Sequence, residues 1–113
     1  WNIVLDTQGG PNLADNWCTA PVIAKPETDE VYFTPLYYAL AQFSKYLRPG
    51  ARRIGVDNDL DDLMVTAVEN TDGSCAAVIL NQQDVAKDFV LRMGDRQIAL
   101  NIPAAAIQTV VIR

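Results

Sequence analysis

The sequence predicts a mainly β fold with one helix (α+β), in which an antiparallel β-sandwich follows a strand, a long loop and an amphipathic helix. Two observations support this prediction. After Pro49-Gly50 the chain consists of short apolar runs separated by tight-turn residues, a pattern that is typical of sandwiches. Before that point it holds one strand-like run and one helical pattern. We therefore predict two unlike parts, residues 1–50 and 51–113.

The first part begins with an apolar run, Trp1–Leu5, that predicts a buried strand. Residues 6–12 are rich in Gly, Asn and Asp, which are typical of a turn that leads out of a strand. No periodic pattern follows until about Val31. We predict a loop over this stretch, and loops of such length are usually functional or disordered.

A helix is predicted from Pro35 to Leu47. Thr34 can act as its N-cap, and Pro35 suits the first helical position, where a missing N–H costs nothing. Pro49-Gly50 stops the helix. One face of the predicted helix carries an apolar stripe, which requires an apolar surface to pack against. Its members are Leu36, Leu40, Phe43 and Leu47.

Six short strands are predicted in the second part, with consecutive strands antiparallel. Asp72-Gly73 is a hairpin signal, and Gly94 marks a second tight reversal. Every second residue is apolar in the fourth strand (Phe89, Leu91, Met93) and in the fifth (Ile98, Leu100, Ile102), so each strand is predicted to bury one face. The predicted strands are Arg53–Val56, Met64–Glu69, Ala76–Asn81, Asp88–Met93, Gln97–Ile102 and Ile107–Ile112.

The composition indicates a folded domain and excludes several classes of partner. Half of the 113 residues are hydrophobic and 20% are charged, whereas disordered chains lack apolar surface. The net charge of -5 repels phosphate backbones, so no nucleic acid partner is expected. No apolar run approaches the roughly 20 residues that cross a bilayer, so no transmembrane segment is expected.

The chain has no histidine, which restricts its chemistry. Ser-His-Asp and Cys-His nucleophiles and the common histidine metal sites are excluded. Cys18 and Cys75 are too few for a zinc site, and whether they form a disulfide stays open. The acidic run Asp57–Asp62 lacks the glycine and closing glutamate of a calcium loop and is interpreted as a solvated connection. No metal and no cofactor is predicted.

Several stretches, in collinear order over essentially the whole chain, resemble glycoside hydrolase family 30 and in particular its glucosylceramidase branch. They are Trp1-Asn2, Gly9-Gly10-Pro11-Asn12, Pro21-Val22-Ile23, Phe43-Ser44-Lys45-Tyr46-Leu47, Pro49-Gly50, Arg53-Ile54-Gly55-Val56, Asp72-Gly73-Ser74 and Val78-Ile79-Leu80-Asn81. The resemblance implies a (β/α)8 barrel followed by a β-sandwich that a segment from near the N-terminus helps to build.

On this plan residues 1–50 are the last β/α unit of a truncated glycosidase barrel, and residues 51–113 are the C-terminal sandwich. A barrel needs on the order of 250 residues. The chain begins with Trp1 rather than Met. We therefore expect a remnant of a longer protein.

The resemblance also implies hydrolysis of β-glycosidic bonds with retention, by two glutamates roughly 5–5.5 Å apart. Glu27, Glu30 and Glu69 do not match the family's catalytic motifs. No catalytic residue is therefore predicted, and the chain alone is expected to be inactive. The alternative is an independent, non-catalytic β-sandwich module that binds carbohydrate or a protein partner.

Three residues are predicted to bind substrate in the full-length parent, by resemblance. Trp1 would offer its aromatic face to the sugar, Asn16 would hydrogen-bond it, and Trp17 would lie at the pocket mouth. Cys18-Thr19-Ala20 departs from the family, where an acidic residue is usual. Secretion, or export to a periplasm, is a further family expectation.

Assembly is the last expectation. If missing strands complete the sandwich in the parent, this chain exposes a sheet edge and a helix face. We therefore expect the isolated chain to form a homo-oligomer through these surfaces. Sugar is expected as a partner only in the full-length parent.

Overall fold

The computed structural model describes residues 2–10 and 18–113. The chain forms two compact units, Trp1–Ala41 and Gln42–Arg113. The boundary between the units falls inside the helix. The predicted division at residue 50 is not tested by this boundary and stays a prediction.

The first unit contains a three-stranded sheet of β1 (Val4–Asp6), β2 (Val22–Lys25) and β3 (Glu30–Phe33). β2 is central, parallel to β1 and antiparallel to β3. The prediction of a loop up to Val31 was wrong, because β2 lies within it and β3 begins within it. Each has only four residues, and β3 is exposed along its whole length, so neither gives an alternating pattern.

Helix α1 spans Pro35–Ser44, three residues shorter at its end than predicted. Beyond it, the N–H groups of Tyr46 and Leu47 both donate to the carbonyl of Phe43 (3.2 and 2.8 Å), and the chain turns away. The predicted apolar stripe is largely uncovered, since Leu36 and Leu40 are 47% and 54% exposed. Within the described residues, no helix has the length and apolar character to cross a membrane.

The second unit contains the six predicted strands, each within two residues of its predicted ends. They are β4 (Arg52–Ile54), β5 (Leu63–Glu69), β6 (Cys75–Asn81), β7 (Lys87–Met93), β8 (Arg96–Ile102) and β9 (Ala106–Ile112). A four-stranded antiparallel sheet has the order β4-β5-β6-β9, and β7 pairs with β8 in a hairpin. β6 therefore pairs with β9 rather than with β7. Residues 82–86 cross between the sheets, which the local pattern could not show.

The core joins the two sheets into a sandwich. Leu63, Ile79 and Ile102 are buried together, and Phe89 and Val110 pack against them. The predicted alternation is confirmed on β7, where the predicted inward-facing residues are half-buried and the residues between them, Val90 included, are exposed. It holds only in part on β8, because Ile98 lies towards the hairpin turn and is 48% exposed. The fold is thus mainly β with one helix.

Candidate functional site

The three residues predicted to bind sugar, Trp1, Asn16 and Trp17, lie outside the described residues. The structure does describe the segments on either side of residues 11–17. These two segments show how the chain on either side of residues 11–17 is held in the first unit.

The first attachment is the exit from β1. The Asp6 carboxylate accepts hydrogen bonds from the N–H groups of Gln8 and Gly10, both at 2.8 Å. The Asp6 N–H donates to the Gly10 carbonyl (2.8 Å), and its carbonyl accepts from the Gly9 N–H (3.1 Å). Gly9 has a φ of 74°, which glycine adopts without steric cost. Asp6 thus fixes the direction in which the chain leaves the strand.

The second attachment is the return of the chain at Ala20 and Pro21, which are both buried. The Thr34 hydroxyl donates to their carbonyls at 2.9 and 3.1 Å, and the Thr34 N–H also donates to Pro21 (2.9 Å). The N–H of Val22 donates to the carbonyl of Ile3 (3.0 Å). The hydroxyl that the sequence assigned to the helix cap therefore holds the segment that leads into β2.

A polar cluster occupies the β2–β3 hairpin. Glu30 accepts hydrogen bonds from the hydroxyls of Thr28 (2.5 Å) and Tyr32 (2.8 Å), and the Lys25 ammonium lies 3.6 Å away. The Thr28 bond, followed by the Tyr32 and Lys25 bonds, lowers the pKa of Glu30. The bond to Glu30 raises the pKa of Tyr32. Glu30 is therefore held as a carboxylate, which suits an acceptor and not a proton donor.

In residues 2–10 and 18–113 no group of three or more His, Cys, Asp or Glu residues could hold a metal ion. Cys18 is an exposed free thiol, and Cys75 is a half-buried one.

An open groove of about 780 Å³ lies within the second unit, between the four-stranded sheet and β7. Val65 and Ile79 line one wall, Phe89 and Leu91 line the other, and residues 55–60 form its rim. Phe89 is the single aromatic residue after residue 50. It is half-buried against the core. The groove is therefore an apolar cleft without an exposed aromatic platform for a sugar.

Two family models match the chain in the order in which its two kinds of structure occur. The glycosyl hydrolase family 30 TIM-barrel domain matches residues 1–47. The glycosyl hydrolase family 30 beta sandwich domain matches residues 50–110. The end of a barrel followed by a sandwich defines the C-terminal portion of a glycoside hydrolase. The chain belongs to glycosyl hydrolase family 30.

Curated relatives include glucosylceramidases. Putative glucosylceramidase 4 of Caenorhabditis elegans is 39% identical over 87 residues, which cover 75% of this chain and 17% of that protein. Lysosomal acid glucosylceramidase of Mus musculus is 34% identical over 96 residues, covering 84% of this chain and 18% of the mouse protein. The chain thus spans about a fifth of the length of these relatives.

Solved structures extend the similarity to the whole chain. SrfJ from Salmonella typhimurium superimposes with a TM-score of 0.96 at 30% identity, over 100% of this chain and 25% of that one. The endo-beta1,6-glucanase BT3312 superimposes with a TM-score of 0.86 at 29% identity, over 96% of this chain and 25% of that one. The family resemblance of the sequence is confirmed.

Proposed function

We propose that the protein to which this chain belongs is a retaining β-glycosidase that hydrolyses β-glucosides or glucosylceramide-like lipids. We also propose that these 113 residues alone do not hydrolyse such substrates. The observation that supports it is the collinear match of the chain to only 17–18% of proteins named glucosylceramidases. The other four fifths of such a protein have room for the barrel strands that hold the catalytic pair.

The glutamates of the chain support the second half of the proposal. A retaining glycosidase needs one carboxyl group that stays protonated until it acts, and therefore a raised pKa. Hydrogen bonds from Thr28 and Tyr32 lower the pKa of Glu30 instead. Glu27 is exposed in the adjacent turn, and Glu69 is exposed at the end of β5. None has the buried, apolar surroundings of a general acid.

Trp1, Asn16 and Trp17 remain our proposed substrate contacts in the parent. For Asn16 and Trp17 the support is that the described segments on either side, at Asp6 and at Ala20-Pro21, are held by hydrogen bonds, which lowers the entropy cost of ordering the residues between them on a ligand. We further propose that the parent is secreted or periplasmic.

The test of inactivity is an assay of the purified chain with a fluorogenic β-glucoside. We expect no turnover above the buffer rate, and the same result for the Glu30→Gln variant. Turnover that co-purifies with the chain at constant specific activity over successive chromatography steps would overturn the proposal. Loss of that turnover in Glu30→Gln would identify Glu30 as the catalytic carboxylate.

The test of the parent uses the longer protein with its barrel. We expect the first-formed sugar product, followed by NMR, to have the β configuration of the substrate. In that protein Trp1→Ala should lower kcat/KM about tenfold or more, equal to about 1.4 kcal/mol of lost transition-state binding. Gln97→Ala, at an exposed position of β8, is the matched control. An inverted product, or no hydrolysis of β-glucosides, contradicts the proposal.

The alternative of an independent binding module has weaker support. The sandwich is a compact unit with an open groove, but its one aromatic side chain packs in the core. NMR titration with glucan oligosaccharides decides between the two. Amide shifts along β7 at millimolar sugar would favour the module, and their absence would exclude carbohydrate binding by it.

A further inference from the structure

The exit of helix α1 is built into the second unit. The chain leaves the helix after Ser44 and reaches β4 through residues 45–51. Here the Ala51 N–H donates to the Arg48 carbonyl (2.9 Å), and Gly50 adopts a φ of 85°. In the sequence, Pro49-Gly50 marks the predicted end of the helix and the predicted boundary between the two parts of the chain.

The side chain of Asn70 binds this exit from two sides. Its amide nitrogen donates to the Tyr46 carbonyl (3.0 Å), and its amide oxygen accepts from the Arg48 N–H (3.0 Å). The same nitrogen donates to the Ser74 hydroxyl (3.1 Å), which in turn donates to the Asp72 carboxylate (2.6 Å). Asn70 is only 7% exposed. One buried amide thus joins the exit of the helix to the β5–β6 turn.

Two further contacts join the same stretch to the sandwich. The Thr109 hydroxyl on β9 donates to the Gln42 carbonyl (3.1 Å) and to the Gln42 side-chain oxygen (2.8 Å). A Cβ at Gly50 would lie 2.9 Å from the Thr71 methyl group. The last turn of the helix, its exit and the glycine therefore each touch β9 or the β5–β6 turn.

We propose that Asn70 is a positioning residue that makes residues 42–50 a structural part of the sandwich, so that the exit of the helix unfolds together with β5 and β6 and not as a separate linker. The match to the family's TIM-barrel domain ends at residue 47. Asn70 therefore binds one residue before this point and one after it, and all three lie within the second compact unit.

Native-state hydrogen exchange of the full 113-residue chain, followed by NMR, tests this proposal. The amide of Arg48 reports on the bond to Asn70, and the amide of Ile79 in β6 reports on the sheet. In the wild type we expect both amides to exchange through the same opening, with the same dependence on denaturant. Exchange of Arg48 at the rate of an unprotected amide would overturn the proposal.

Variants separate positioning from general stability. In Asn70→Ala, exchange at Arg48 should accelerate at least about tenfold more than at Ile79, because its acceptor is lost. In Asn81→Ala, which removes another buried asparagine of the same sheet, the two amides should accelerate equally. Asn70→Asp keeps the acceptor oxygen and should retain much of the protection of Arg48, which gives a result even if the alanine variant does not fold. Equal acceleration at both amides in Asn70→Ala contradicts the proposal.

Discussion

Buried asparagines organise the irregular parts of the sandwich. Asn81 is fully buried at the end of β6. Its amide nitrogen donates to the carbonyls of Val85 and Pro103, both at 2.8 Å, and its oxygen accepts from the Gln83 N–H (3.0 Å). One side chain thus holds the crossing that follows β6 against the turn that precedes β9.

We expect Asn81→Ala to destabilise the chain by about 3 kcal/mol, because three backbone groups lose their partner and a small cavity opens. Urea unfolding followed by circular dichroism measures the change. Asn101→Ala is the control, since Asn101 is exposed and its side-chain amide donates to the exposed Asp88 carboxylate (2.8 Å), and it should cost less than about 1 kcal/mol. Equal losses in the two variants would show that the buried hydrogen bonds contribute little.

A second prediction at this scale concerns pH. The side-chain and backbone hydrogen bonds from Ser74 lower the pKa of Asp72 below its ordinary value of 3.8. The folded state therefore favours the carboxylate. This stabilisation is complete above the ordinary pKa and disappears as the pH falls through the lower folded-state value.

We therefore expect Asp72→Asn to be less stable than the wild type near pH 7, and the difference to shrink as the pH falls below 3.8. Urea midpoints of both proteins at a series of pH values give the answer. A difference that stays constant with pH would mean that the charge of Asp72 is not responsible.

At the scale of elements, turn glycines determine where strands can reverse. Gly73 in the β5–β6 turn has a φ of 80°, and Gly55 after β4 does not have a positive φ. An added Cβ meets nothing within 4 Å at either position. The two glycines therefore differ in backbone conformation while sharing free space for a methyl group.

Gly73→Ala should cost about 1 kcal/mol or slightly more, because an L-residue is strained at positive φ. Gly55→Ala should be neutral or slightly stabilising, since it only reduces the freedom of the unfolded chain. Thermal unfolding of the pair measures both effects. A similar loss at Gly55 would mean that the methyl group, and not the backbone, is responsible.

The elements that could be predicted from the sequence are those whose ends are marked by turn or capping residues. All six strands of the sandwich lie between clear turn signals, and their ends agree with the structure within two residues. β2 and β3 were missed because four residues are too few for a pattern. The pairing of β6 with β9 depends on contacts far apart in sequence. Local patterns contain no information on such pairing.

The candidate site was predictable to a smaller extent. Trp1, Asn16 and Trp17 came from the family resemblance and remain predictions, whereas the hydrogen bonds on either side of residues 11–17 were found only in the structure. The bond from Thr34 to Ala20 joins residues 14 positions apart, and a hydroxyl at the start of a helix is normally interpreted as a cap. The hydrogen bonds of Asn70 join residues 22 and 24 positions apart, so local sequence patterns could not predict them either.

At the scale of the whole molecule, each unit exposes apolar surface. In the first unit Leu36, Tyr38 and Leu40 of helix α1 are 47%, 59% and 54% exposed. In the second unit the groove beside β7 is open, and among the described strands β7 pairs only with β8. Surfaces of this kind promote association of monomers. We therefore propose that the isolated chain forms a homo-oligomer.

Sedimentation over a range of concentrations tests this association, and the helix offers a matched pair of variants. Leu40→Glu places a charge within the apolar stripe and should shift the chain towards monomer, because an interface must then bury a carboxylate. Lys45→Ala changes the net charge of -5 by the same single unit, just after the end of the helix and outside the apolar stripe. It should associate as the wild type does. A wild-type chain that remains monomeric at high concentration contradicts the proposal, and equal effects of the two variants would attribute association to net charge and not to the stripe.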